Sequence, residues 1–140
     1  MALVVPNTAN VLMLKYIVNQ LKQEGGAGVA GGERVLKLFS NPVTPGKTTA
    51  LGDITQVTAA GYTAKTLAGA SWTVATSTAG TNSAVYSEQT FAFTTAATVY
   101  GYYVTTLSGD LLWVERFSTT AFTLPAGGGE IAITPRITLD

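Results

Sequence analysis

From Arg34 to its end the chain is written in period two: short runs alternate apolar and polar residues, and Gly, Pro and Asn break them at close intervals. Such a pattern leaves little choice but antiparallel β-structure. "RVLKLFS" reads as the first strand and "NPVTPG" closes it. "GYTAKTLAGASWTVAT" reads as two short strands joined by "AGA", with Trp72, Val74 and Thr76 on one face. "STAGTNS" reads as a loop. "QTFAFTT" places Phe91 and Phe93 together, "STTAFTLP" is a further short strand, and "AGGG" is a turn. In "EIAITPRITL", Ile131, Ile133, Ile137 and Leu139 share one side, and Pro135 marks an edge or a bulge because it cannot donate to a ladder. About eight strands at this spacing predict an antiparallel β-sandwich or jelly-roll-like domain.

Only the first segment has a helical period. Val11, Leu14, Val18 and Leu21 recur at i, i+3, i+7 and i+10, and Ile17 widens the stripe. Asn7 or Thr8 is the expected N-cap, and Gly25 and Gly26 the expected stop. Leu12 and Met13 lie off the stripe, so this helix is apolar on more than one side and needs a second surface to bury it. The expected organisation is a helical arm over 1–24, a glycine-rich linker over 25–33 and a β-sandwich domain over 34–140.

The hairpin "TVYGYYVTTLSGDLLWVERF" carries the densest aromatic content of the chain. Gly109-Asp110 suits a two-residue type II′ turn. That turn would pair Ser108 with Leu111, Thr106 with Trp113, Val104 with Glu115 and Tyr102 with Phe117, leaving Tyr103 opposite Arg116. A three-residue loop would shift this register by one. Both faces are substantially apolar, so the hairpin is expected centrally with both sides covered. Tyr100, Tyr102, Tyr103 and Trp113 are then core rings or, alternatively, a stacking platform for sugars. Glu115, on an aromatic face, calls for a hydrogen-bonding or ionic partner or an interface.

Several function classes drop out. The chain has 140 residues, no His and no Cys, which removes Ser-His-Asp and Cys-His catalysis, disulfides and most zinc sites. Lys+Arg and Asp+Glu are balanced at 8 each with no basic stripe, so nucleic acid is not an expected partner. The apolar "VLMLKYIV" is too short to span a bilayer and carries Lys15, so no membrane association is expected. Gly26, Gly28 and Gly31 match GxGxxG formally, but a helix precedes them and a strand follows, the reverse of a dinucleotide site. Gly46-Lys47-Thr48 lacks the first glycine of a P-loop, since Asn41 occupies that position. No second carboxylate is placed by spacing beside Glu115, so no acid–base pair can be assembled. Neither an enzyme nor a cofactor nor a metal is expected.

The order of segments — the apolar helix, "LKLFSNPVTP", "GYTAKTLAGASWT", "QTFAFTTAATVYGYYVT", "LLWVERF" and "ITPRITL" — resembles small structural proteins encoded among the virion genes of tailed bacteriophages. The resemblance covers most of the chain from Arg34 onward. It implies a particle component: a capsid cement or decoration subunit in the phage head, made in the host cytoplasm, binding the major capsid protein as a homo-oligomer, in the first place a trimer. A tail or fibre part with a carbohydrate- or receptor-binding role is the alternative. The low charged content of 11% agrees with extensive protein contacts, because charge is depleted at interface cores. Within this reading Val11, Leu14, Ile17, Val18 and Leu21 are the expected contact residues, and Tyr100, Tyr102, Tyr103, Trp113 and Glu115 the expected second ligand or interface set.

Overall fold

The computed structural model describes residues 6–18, 32–76, 81–117 and 120–139. Its elements are α1 (Asn7–Ile17), β1 (Glu33–Phe39), β2 (Lys65–Ala68), β3 (Thr73–Thr76), β4 (Asn82–Val85), β5 (Gln89–Phe93), β6 (Ala97–Val99), β7 (Gly101–Thr106), β8 (Leu111–Arg116), β9 (Phe122–Leu124), β10 (Gly129–Ile133) and β11 (Arg136–Leu139). They form sheets in the orders β2-β1-β7-β8, β10-β5, β11-β4-β3 and β6-β9. The result is the mainly β, antiparallel, sandwich-like class with one N-terminal helix that the alternation indicates. The chain divides into two compact units, one of Met1–Arg34, Leu67–Glu88 and Thr134–Asp140, the other of Val35–Thr66 and Gln89–Ile133.

In the first unit α1 packs on the sheet β11-β4-β3. Val74, Ala84 and Ile137 stand opposite one another across its three strands. Ala84 is fully buried at the centre of that row, where a small residue lets a helix approach closely. By its sequence "STAGTNS" is a loop that includes Asn82 and Ser83, with no strand at 82–85. The structure corrects this: β4 is the middle strand, and its buried positions are Asn82 and Ala84. The run "EIAITPRITL" is likewise two strands. β10 pairs with β5 and β11 with β4, and the break falls at Pro135, whose carbonyl accepts from Tyr86 N at 3.0 Å. The helix is also entered differently. Pro6 is the N-cap, no side chain among the described residues caps the helix, and the Pro6 carbonyl takes Ala9 N at 2.9 Å and Asn10 N at 3.1 Å. The expected stop at Gly25 and Gly26 lies outside the described residues.

In the second unit the buried side chains Leu36, Leu38, Phe39, Phe91, Phe93, Val99, Val104, Ile131 and Ile133 make the core. Tyr62 stacks between Phe91 and Phe93, with centroids 5.8 and 5.9 Å away. The Tyr62 hydroxyl accepts Leu38 N at 3.0 Å, which ties the loop before β2 to β1. Ser40 N and Val57 N donate to Thr55 and Leu38 carbonyls, extending this edge past the strand end.

The hairpin β7–β8 turns through a three-residue loop rather than Gly109-Asp110 alone. Thr106 N donates to Asp110 O at 2.9 Å, and Gly109 takes φ +99°, the left-handed position that closes such loops. Side chains decide it: Thr106 Oγ1 donates to Asp110 Oδ2 at 3.0 Å and accepts Asp110 N at 3.0 Å, while Ser108 Oγ donates to Asp110 Oδ2 at 3.2 Å. A bulge follows, after which Val104 pairs with Trp113, Tyr103 with Val114, Tyr102 with Glu115 and Gly101 with Arg116. The predicted pairs Ser108–Leu111, Thr106–Trp113, Val104–Glu115, Tyr102–Phe117 and Tyr103–Arg116 are therefore wrong. The slip is two residues, which preserves faces, so Tyr102, Val104, Trp113 and Glu115 still share a side. β7 is buried along five consecutive residues, as a strand covered on both faces must be.

Candidate contact surfaces

The two faces of α1 separate cleanly at 100° per residue. Asn10, Leu14 and Val18 lie on the inner face; Leu14 and Val18 are 0% exposed, and Val11 and Ile17 flank them half-buried. Leu12, Met13 and Tyr16 lie on the outer face and remain 50%, 43% and 47% exposed. The stripe nominated for partner contact is thus the face that packs within the first unit, and the exposed apolar side chains are those that fell off it. Leu21 lies outside the described residues.

The C-terminal end of α1 is closed by a cation. Arg34 Nε donates to Ile17 O at 2.7 Å and its Nη2 to Tyr16 O at 3.3 Å. The guanidinium gives the Ile17 carbonyl a donor, adds a second donor to the Tyr16 carbonyl, which already takes a backbone N–H of the cap, and sits at the negative end of the helix dipole. Neither strand alternation nor helical period marks Arg34 for this task; its only sequence signal is a charge at the mouth of β1.

In the second unit Tyr102 and Tyr103 are 3% and 2% exposed. The Tyr102 hydroxyl donates to the exposed Glu115 Oε2 at 2.5 Å, and its ring lies 6.5 Å from that of Phe117. Glu115 thus holds the polar end of a buried ring at the rim of the sheet. Tyr103 points to the other side. Its hydroxyl donates to Gln56 Oε1 at 3.4 Å and Lys37 Nζ lies 6.0 Å from its centroid. Burial, with the neighbouring Tyr62 phenol adding to it, pushes the Tyr103 hydroxyl up to about 12. Burial raises Tyr62 as well, against the Leu38 N–H and Gln56 hydrogen bonds that favour its ionised form.

Tyr100 and Trp113 are half-buried. The Arg116 guanidinium lies 5.5 Å from the Tyr100 centroid, and its Nη1 donates to Thr44 Oγ1 at 3.1 Å and, more distantly, to the carbonyls of Pro42 and Val43 at 3.4 Å. Four rings that would have to offer open faces to a sugar are instead two buried rings, one under a guanidinium and one partly covered. Other exposed apolar side chains are Leu107 at the hairpin tip, Leu51 and Phe122.

Among the described residues no cluster of three or more Asp, Glu, His or Cys could hold a metal ion, and no helix is long and apolar enough to cross a membrane. Comparison with protein-family models, with curated proteins and with solved structures finds no match for this chain.

Proposed function

We propose that this chain is a structural protein of a tailed-bacteriophage particle, a cement or decoration subunit that binds the major capsid protein in the head and acts as a homo-oligomer, a trimer in the first place. The observation that carries the reading is the outer face of α1. A helix that already buries Leu14 and Val18 keeps three further large apolar residues, Leu12, Met13 and Tyr16, in water. Side chains of this kind, grouped on one helix, suit burial against another protein surface at roughly 25 cal/mol per Å². The resemblance of the β-segments to virion structural proteins supplies the particle. The mechanism is adhesion: apolar contact joins neighbouring capsomers, with no bond made or broken. The burial of Tyr102 and Tyr103 weighs against the sugar-binding tail or fibre alternative. The test is sedimentation of the purified chain with undecorated phage heads, alongside its solution mass by light scattering. Saturable co-sedimentation and a mass near three times the 14.5 kDa chain are expected. A monomer that stays in the supernatant overturns the reading.

A further inference from the structure

The two ends of α1 are secured unequally. At its start, among the described residues, no side chain caps it, and its first turn holds no acidic residue. At its end, backbone N–H groups of the cap donate to Leu14 O and Tyr16 O, and the Arg34 side chain reaches from β1, 17 and 18 residues away in sequence, to the carbonyls of Ile17 and Tyr16. A helix of 11 residues is too short to persist in water by itself. It therefore exists because Leu14 and Val18 are buried and because Arg34 closes it. The sheet beneath does not depend on the helix in the same way. β4 is held on both sides by ladders, to β3 through Thr73–Val85, Val74–Ala84, Ala75–Ser83 and Thr76–Asn82, and to β11 through Arg136–Val85, Ile137–Ala84, Thr138–Ser83 and Leu139–Asn82. α1 takes part in none of these ladders and can leave without breaking any of these pairs, whereas no strand of β11-β4-β3 can.

We infer that α1 is a releasable strap and that Arg34 is its latch. Release unfolds the helix, frees Leu14 and Val18, and joins them to Leu12, Met13 and Tyr16 in one exposed apolar segment. The strap is a property of the isolated molecule; its use as the arm that engages a capsid rests on the proposed function. Opening of this kind is a sub-global event, and amide exchange reads it directly.

The experiment is hydrogen–deuterium exchange by mass spectrometry on the full chain, in native buffer and at low denaturant, for wild type and for Arg34→Met. In wild type, amides of 7–17 should exchange at least tenfold faster than those of β4 and β7, with a smaller denaturant dependence. Arg34→Met should speed α1 by about a further tenfold and leave β7 unchanged. The inference is overturned if α1 and β7 share one opening free energy in wild type. It is equally overturned if Arg34→Met speeds both alike or neither. The wild-type comparison stands even if the variant fails to fold. No phage head is present, so a strap that opens in a chain that ignores heads preserves the inference and removes the function, and the reverse result does the opposite.

Discussion

Leu14→Ala and Met13→Ala are neighbours in sequence, yet the structure places them on opposite faces of α1, and their costs should differ accordingly. Leu14 has no exposed surface, and truncation removes three carbons from a packed site. At about 0.8 kcal/mol per buried CH₂ the transfer loss is about 2.4 kcal/mol. The cavity left under the helix adds about 1 kcal/mol or more, for a total of about 3–4 kcal/mol. Met13 is 43% exposed, so its truncation should cost under about 1 kcal/mol. Urea unfolding followed by circular dichroism gives both values, and α1 amide exchange shows whether the loss is confined to the first unit. Equal costs, or a neutral Leu14→Ala, would refute the assignment of inner and outer faces.

Four further outcomes are expected. Gly101→Ala should destabilise by about 1–3 kcal/mol, because a Cβ there would stand 2.6 Å from the Phe39 ring and closer still to the Glu115 carbonyl; thermal unfolding checks it. Thr105→Val should raise stability by about 1 kcal/mol, since its fully buried hydroxyl finds no hydrogen-bond partner among the described residues; a lowered denaturation midpoint would contradict this. Raising the pH should weaken the fold. The native Tyr103 hydroxyl titrates near 12 and the unfolded one near 10, so stability is intact below pH 10 and about 1–2 kcal/mol is lost between 10 and 12, with solvent near the hydroxyl allowed for; Tyr103→Phe should flatten that slope. Finally, Tyr102→Phe and Glu115→Gln should show a coupling of about 0.5–1.5 kcal/mol in a double-mutant cycle, whereas additive losses would mean that the 2.5 Å contact contributes nothing.

Much of the fold is readable from alternation because most strands bury every second residue: Phe91 and Phe93 on β5, and Ile131 and Ile133 on β10, were placed correctly by period alone. β4 escapes because its buried positions are Asn82 and Ala84, small or polar residues chosen by the helix above them rather than by strand propensity. The hairpin register escapes because three side chains, Thr106, Ser108 and Asp110, close a longer loop than the glycine alone predicts, and such side-chain turns compete with backbone rules. For the helix, the period located the apolar stripe but not its destination. A stripe that covers the protein's own sheet and one that awaits a partner have the same spacing, and only the observed burial of Leu14 and Val18 against the exposure of Leu12, Met13 and Tyr16 separates them. Arg34 was unreadable because a helix C-cap supplied from a distant strand leaves no local motif.

The most direct test of the account compares wild type with the triple variant Leu12→Ser, Met13→Ser, Tyr16→Ser in sedimentation with undecorated phage heads. All three positions are exposed, so the variant should stay folded with a combined loss of about 1–2 kcal/mol, which circular dichroism checks. Wild type should pellet with the heads to saturation, and the folded variant should stay in solution. Equal binding of the two would contradict this.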